Sequence, residues 1–283
     1  MANTTQPLRA DVLRGLLDDT IELQVFEEVG STNDVAKSAL RATSAARPSA
    51  RRIAPQAVVA ARQGAGRGRL GRSWSSPAGG VYLSLALAVP AGPERLGAVS
   101  LVAAVATRRA LAGLVEGLLI KWPNDIVAVK GKAAGILAES SPLCPSGAQG
   151  LVVGVGVNVG ACVNVGLGGQ HLPSTACCLS DLPAAPGTSC SREEVSALVI
   201  NSLLRCLGDW HEAGFSFSPF IQEYEQYHIL ANKQVCVRSP DGMVLAEGLV
   251  QGVGLDGQLL VENAAAPLGV CAVTVGEATL QKA

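Results

Sequence analysis

Residues 63–74 read Gln-Gly-Ala-Gly-Arg-Gly-Arg-Leu-Gly-Arg-Ser-Trp, so that Gly64, Gly66, Gly68 and Gly71 are interleaved with Arg67, Arg69 and Arg72, and Arg62 stands just before them. Neither a helix nor a central strand favours that composition, because each glycine raises the entropy cost of ordering the segment. A loop that wraps an anion does favour it. Glycine lets backbone N–H groups come close to phosphate, and guanidinium forks pair bidentately with phosphate or carboxylate oxygens. The alternative is a solvated Arg/Gly segment of the kind that binds RNA, but such segments usually recur in low-complexity surroundings. This one is single and lies between two apolar strand-like runs, Ala57–Ala61 and Val81–Val89.

Three other positions could do chemistry. Lys132 is flanked by Gly131, Ala133, Ala134 and Gly135. It is either a turn lysine pointing to water or an ammonium with room for a ligand beside it. Ser31-Thr32-Asn33 is a helix cap by composition, and capping alone would explain it. Asn158, at the end of the apolar run Leu151–Val159, is either a buried amide satisfied by backbone or a base-reading group. A dinucleotide fingerprint through Gly154, Gly156 and Gly160 fails on context, since that fingerprint must open a helix. No Ser/His/Asp or Cys/His constellation is visible. His171, His211 and His228 follow no zinc-ligand spacing, so no metal site is expected from protein ligands.

The elements that must position these residues alternate between strand and helix. Glu22–Val29 reads as a strand and Asp34–Ala42 as a helix behind a Ser31 or Thr32 cap, followed by a surface loop over Thr43–Pro55. Ala57–Ala61 leads into the arginine loop. Val81–Val89 is a strand with Tyr82 and Ser84 on one face, and Glu94–Leu114 reads as one long helix packed on a sheet. Pro123, within Lys121-Trp122-Pro123-Asn124-Asp125, marks a strand end. A hairpin follows through Ile126–Val129, a Lys130-Gly131 turn and Ala133–Ala138. Ala161–Ser191 has no helical period, and a loop that long is usually functional. Ser191 and Glu194 form a capping box before an amphipathic helix to Glu212, and Phe217–His228 reads as a second helix. From about Asn232 short strands and turns at Pro240-Asp241-Gly242 and Asp256-Gly257 read as a β-barrel-like module.

Composition narrows the class. The chain has 283 residues, of which 48% are hydrophobic and 16% charged, with a net charge of -1. It buries a sizeable core, and its near-neutral background disfavours a general polyanion binder. The 8 Cys are scattered, Cys177 and Cys178 are adjacent, and no C-x-x-C occurs. Together with an N-terminus that lacks a hydrophobic signal core, they read as reduced thiols in a cytoplasmic protein. Leu96–Ile120 is interrupted by Arg108, Arg109 and Glu116, so it is a buried helix and not a membrane span.

Taken in order and spacing, Ser31-Thr32-Asn33, Gln63 through Trp74, Lys121 through Asp125, Gly131 through Ile136 and Gly154 through Val159 resemble the biotin–protein ligases. The resemblance runs from about residue 22 to the end and implies an α/β fold: a mixed, largely antiparallel sheet flanked by helices, in a catalytic biotin- and ATP-binding domain over 1–231, then a small SH3-like domain over 232–283. It implies ATP and biotin as substrates with Mg2+, formation of biotinyl-5'-AMP, and transfer of biotin to a lysine of a biotin carboxyl carrier domain. By the same resemblance, biotin binds at Ser31, Thr32, Asn33, Gln63, Arg67, Gly68, Arg69, Lys132 and Gly135. The nucleotide falls to Arg69, Arg72, Trp74, Asn124 and Asn158, and the catalytic cations are Arg67 and Lys132. One departure is Leu70, where bacterial regulatory members often carry a second arginine after the one matching Arg69. Only 30 residues precede Ser31, whereas a winged-helix domain needs about sixty. The expectation is therefore a member without a DNA-binding domain, a monomer or homodimer that contacts neither nucleic acid nor membrane. The rivals are a lipoate–protein ligase, which shares the architecture, and a non-catalytic Arg/Gly nucleic-acid binder.

Overall fold

The computed structural model describes residues 6–46, 53–143, 148–160, 175–188, 191–264, 266 and 269–281. The chain runs α1 (Ala10–Gly15), β1 (Glu22–Val29), α2 (Thr32–Ala46), β2 (Gln56–Gln63), β3 (Val81–Val89), α3 (Val99–Ala112), β4 (Leu119–Lys121), β5 (Asp125–Ala128), β6 (Gly131–Pro142) and β7 (Gln149–Val157). It continues with α4 (Arg192–Glu212), α5 (Ile221–Tyr227), β8 (Gln234–Arg238), β9 (Val244–Val253), β10 (Leu259–Glu262), β11 (Val270–Val273) and β12 (Glu277–Leu280). The first seven strands form one sheet in the order β1-β2-β3-β7-β6-β5-β4. Only β1 and β2 pair in parallel, and every other neighbour is antiparallel. The last five form a second, antiparallel sheet in the order β11-β10-β9-β8-β12. This is the mixed, largely antiparallel α/β architecture that the sequence led us to expect.

The side-chain period of a strand gives the main sheet two unlike faces. Ala57, Val59, Leu83, Leu85, Val153 and Val155 point to one side and join the large core with α3 and α4. The intervening residues point to the α2 side. There Val58, Ala86 and Val152 bury Ala36 and Leu40 of α2, but further along the same face the residues shrink to Ser84, Gly154 and Gly156. Loss of side-chain volume on one face of a sheet leaves a cavity unless another element fills it.

Three elements depart from the sequence reading. Helix α2 continues to Ala46, because Leu40 and Ser44 keep the buried stripe going; the expected loop therefore begins later, and its residues 47–52 lie outside the described residues. The expected helix Glu94–Leu114 divides into a 3-10 turn, Pro93–Arg95, and α3. Gly97 lies between them against the backbone of the β9–β10 turn, where a Cβ would meet the Asp256 carbonyl oxygen at 2.7 Å. Phe217–His228 likewise divides into a 3-10 turn, Ser218–Phe220, and α5. The Ser191–Glu194 capping box is present, with both reciprocal bonds made, a device worth about 1 kcal/mol. Most of the long loop expected over Ala161–Ser191 lies outside the described residues. Of the rest, Ala176 bridges to Lys132, and a 3-10 turn spans Leu179–Asp181.

The second sheet is pinned to the first. Trp122, which precedes Pro123 through a cis peptide bond, is buried and donates its indole N–H to the Gly257 carbonyl at 3.1 Å. Among the described residues no helix is long and apolar enough to cross a membrane.

Candidate active site

The space left by the small residues of the α2-side face is a cavity of about 490 Å3. Its floor is the pairing of Gly135 on β6 with Gly156 on β7. Trp74 packs against these two glycines: a Cβ on Gly156 would meet its Nε1 at 2.5 Å, and one on Gly135 would meet its ring at 2.9 Å. The indole Nε1 is buried and has no hydrogen-bond partner among the described residues.

One wall is polar, with its charged groups paired to one another. Helix α2 begins at Thr32, which brings Ser31, Thr32 and Asn33 to the cavity at its N-terminal turn, all three buried. Thr32 donates from both its backbone N–H and its hydroxyl to Gln63 Oε1, at 2.8 and 3.1 Å. Gln63 Nε2 donates onward to Ser76 Oγ at 3.0 Å. Ser84, at the foot of this wall, is within hydrogen-bond reach of Thr32 Oγ1 at 2.8 Å and Asn33 Oδ1 at 2.6 Å. Asn33 Nδ2 donates to Glu139 Oε2 at 2.7 Å. Only glycine fits opposite Ser84, at position 154, since a Cβ there would lie 2.2 Å from Asn33 Oδ1. The Ser31-Thr32-Asn33 stretch therefore does more than cap a helix: it knits α2, β2, β3 and β6 into one hydrogen-bonded surface.

The arginine loop forms the rim. It is a small hairpin, closed by a bridge between Arg67 and Ser73 and by N–H donation from Gly68 to the Arg72 carbonyl at 2.7 Å. Its tip needs left-handed backbone at Leu70 and Gly71 (φ 58° and 73°). Arg67 points to the polar wall, where its two terminal nitrogens hold both oxygens of Asp34 at 2.6 and 2.7 Å and reach Glu139 Oε2 at 3.3 Å. The hydrogen bond from Arg67 leads the causes that hold the Asp34 carboxyl below the usual range. Arg72 contacts Glu277 of the second sheet.

The opposite wall is cationic. The Lys132 ammonium stands 2.7 Å from Asp125 Oδ1, an ion pair short of hydrogen-bond geometry, and 4.9 Å from the centre of the Trp74 ring. Its side chain is 19% exposed, so it points into the cavity and is not the solvated turn lysine of the alternative reading. Arg69 is within 3.4 Å of Asn124 Oδ1. Among the described residues no carboxylate lies within ion-pair distance of Arg69 or Lys121. Burial is the main cause that pushes both below their ordinary pKa values. Asn124 and Asn158 also line the cavity, and each donates one amide N–H to a backbone carbonyl, of Ile136 and Lys132 respectively.

Thus the residues drawn from five separate stretches of sequence, including Gly68 and Gly135, line a single cavity. Sequence reasoning did not single out Asp34, Lys121, Asp125 or Glu139, nor the contribution of Arg238, Glu277 and Thr279 from the second sheet. Lys121 and Asp125 lay inside a noted motif; nothing local marks Glu277.

Residues 26–158 match the family model described as the biotin/lipoate A/B protein ligase family. A biotin–[acetyl-CoA-carboxylase] ligase of Mycobacterium tuberculosis is 30% identical over 251 residues, which are 85% of this chain and 83% of that protein. The chain belongs to the biotin–protein ligase family. Another relative, the biotin–[acetyl-CoA-carboxylase] ligase of Paracoccus denitrificans, is 46% identical over 113 residues, 38% of this chain, and the match covers only 46% of its own length. A biotin protein ligase from Aquifex aeolicus, solved in complex with biotin and ATP, superposes with a TM-score of 0.66 at 25% identity, over 93% of this chain and 99% of that one. In this chain the arginine loop, the Lys132 hairpin and the second sheet all contribute to one cavity.

Proposed function

We propose that the chain activates biotin with ATP to biotinyl-5'-adenylate and pyrophosphate, and then transfers biotin to a lysine of a carboxylase's biotin carboxyl carrier domain, releasing AMP. The observation that carries this reading is the pairing of a hydrogen-bonded wall, whose charges are paired with one another, with a cationic wall across one cavity of about 490 Å3. Family membership supports it, as do the biotin and ATP bound to the Aquifex protein.

The physical problem is bringing two anions together. Carboxylate and triphosphate repel, and attack of the carboxylate on the α-phosphate concentrates charge on the phosphate oxygens. Cations fixed beforehand around that point stabilise it without reorganising. In this reading Ser31, Thr32, Asn33 and Gln63 hold biotin's ureido ring. Arg67 and Lys132 take the carboxylate and α-phosphate. Arg69, with Gly68 beside it, and Arg72 hold phosphate oxygens and close the loop. Trp74, Asn124 and Asn158 face the nucleotide, and Gly135 leaves room for the ligand. The substrates supply both nucleophiles: the biotin carboxylate first, then the acceptor amine.

Magnesium fits as an ion carried on the triphosphate. Asp125 faces the cavity with its Oδ1 buried, ion-paired to Lys132 at 2.7 Å but without hydrogen-bond geometry, and Mg2+ is commonly held by one or two carboxylates plus substrate phosphates. Bound there it would neutralise phosphate charge. Among the described residues no cluster of three or more His, Cys, Asp or Glu could hold it without the nucleotide. The catalytic unit is assigned to residues 1–231 and the small second domain to 232–283, in a cytoplasmic protein.

The test is ATP–pyrophosphate exchange dependent on added acid. Exchange with biotin and not with lipoate or octanoate is the expected result. Exchange with lipoate alone would reassign the substrate, and salt-dependent nucleic-acid binding without any exchange would overturn the reading.

A further inference from the structure

The polar wall contains an ion pair that the reaction scheme leaves unexplained. Arg67, assigned above to an anionic ligand, already has its fork filled: both terminal nitrogens face the two oxygens of Asp34, at 2.6 and 2.7 Å. A guanidinium that is bidentate to one carboxylate cannot offer the same two donors to another. The two carboxylates near it are not equivalent. Glu139 has three partners besides its backbone: Asn33 at 2.7 Å, Lys37 at 3.3 Å and Arg67 at 3.3 Å. It is anchored in the same network that orders Ser84 and Thr32. Asp34 places both oxygens on Arg67, and its side chain is 57% exposed. An ion pair this exposed is weak and exchanges readily.

Resting on the function proposed above, we infer that Asp34 is a positioning residue: it occupies the Arg67 fork until an anionic ligand displaces it, while Glu139 keeps the guanidinium at the rim during the exchange. Asp34 then acts only through Arg67. It pre-positions the loop against α2, and it competes with the ligand for the same donors. The competition is specific to charge, because a neutral ligand has no claim on the fork. Asp34 also sits in the first turn of α2, where a carboxylate favours the helix, so a substitution there needs a control for helix stability.

The experiment measures calorimetric affinity for biotin and for biotinol, its neutral alcohol, with the wild-type chain, Asp34→Asn and Asp34→Glu. Asn is well tolerated at a helix start, and Glu restores the carboxylate. The expected result is biotin binding about 1.5- to fivefold tighter in Asp34→Asn, the range set by one exposed ion pair. Biotinol binding should stay unchanged in all three proteins, and Asp34→Glu should return biotin affinity towards the wild-type value. Unchanged or weaker biotin binding in Asp34→Asn would overturn the inference. So would an equal gain for biotin and biotinol, which would report a general change in the wall. If wild-type protein binds neither compound, the biotin reading itself has failed, and that outcome is distinct because it shows before any variant is compared.

Discussion

The two walls of the cavity differ in how much they lack. On the α2 side the polar groups are partnered with one another: Thr32 with Gln63, Asn33 with Ser84 and Glu139, Arg67 with Asp34. On the facing side Lys132 is paired with Asp125, but Arg69 and Lys121 are partly buried cations with no carboxylate in ion-pair reach among the described residues, and the Trp74 N–H has no acceptor among them. A satisfied network costs nothing further to keep, whereas buried unpaired charge costs free energy in the empty protein. The contrast teaches that one wall is built for shape and the other for charge that arrives with the ligand. Substitutions should accordingly split: on the first wall they should damage fold and binding together, and at the unpaired cations of the second they should damage activity while sparing or even raising stability.

The largest effect is expected at Lys132. Removal of a group that stabilises charge in the transition state typically costs on the order of 3 kcal/mol, about a hundredfold in rate. Lys132→Ala should lower adenylate formation by that much or more in single-turnover assays with biotin and ATP. It also leaves Asp125 without its cation, so thermal denaturation must accompany the assay. Adenylate formation near the wild-type rate in a folded variant would remove Lys132 from the charged wall's function.

A smaller effect, of the opposite kind, is expected at Gly154. A Cβ there would lie 2.2 Å from Asn33 Oδ1, and overpacking of this sort costs about 1–3 kcal/mol. Gly154→Ala should lower the thermal midpoint and weaken biotin binding in parallel, since Asn33 must leave both Ser84 and Glu139. A variant with weakened binding and an unchanged midpoint would show that the wall is not the rigid network described.

Much of this division was legible in the sequence, for local reasons. β1 and β3 begin and end at the expected residues because breakers bound them, Gly30 after β1 and Gly80 and Pro90 on either side of β3. The arginine loop stood out because glycine and arginine at that density suit no regular element. What escaped notice depends on distance along the chain. The expected helix divides at Gly97, where a turn of the second sheet packs against the backbone. Glu277 meets Arg72 across 205 residues. The Asp34–Arg67 pair spans 33 residues; Asp34 was visible beside Ser31-Thr32-Asn33, but nothing in its own neighbourhood names its partner. The cavity itself was foreshadowed only by Gly135, Gly154 and Gly156, whose meaning depends on strand register.

The smallest expected effect sharpens the comparison most, because stability and activity should move in opposite directions. Lys121 lies on the cationic wall with its pKa lowered, chiefly by burial, and Asp125 and Glu277 only partly offset this. A lysine whose folded-state pKa lies below its unfolded value of 10.5 is destabilising while protonated. Over the interval between the two values the unfolded chain binds more protons, so stability rises with pH there. Lys121→Met keeps the length of the side chain and removes the charge. At neutral pH it should raise stability by up to about 1 kcal/mol in chemical denaturation. The advantage over wild type should shrink as pH is raised towards 10.5, where the wild-type lysine loses its proton in both states. On the proposed function the same variant should also raise the KM for ATP in pyrophosphate exchange, since it removes one of the unpaired cations assigned to meet the triphosphate. A variant that is less stable than wild type at neutral pH, with ATP use unaffected, would mean that Lys121 is paired in solution and that the two walls are more alike than their contacts indicate.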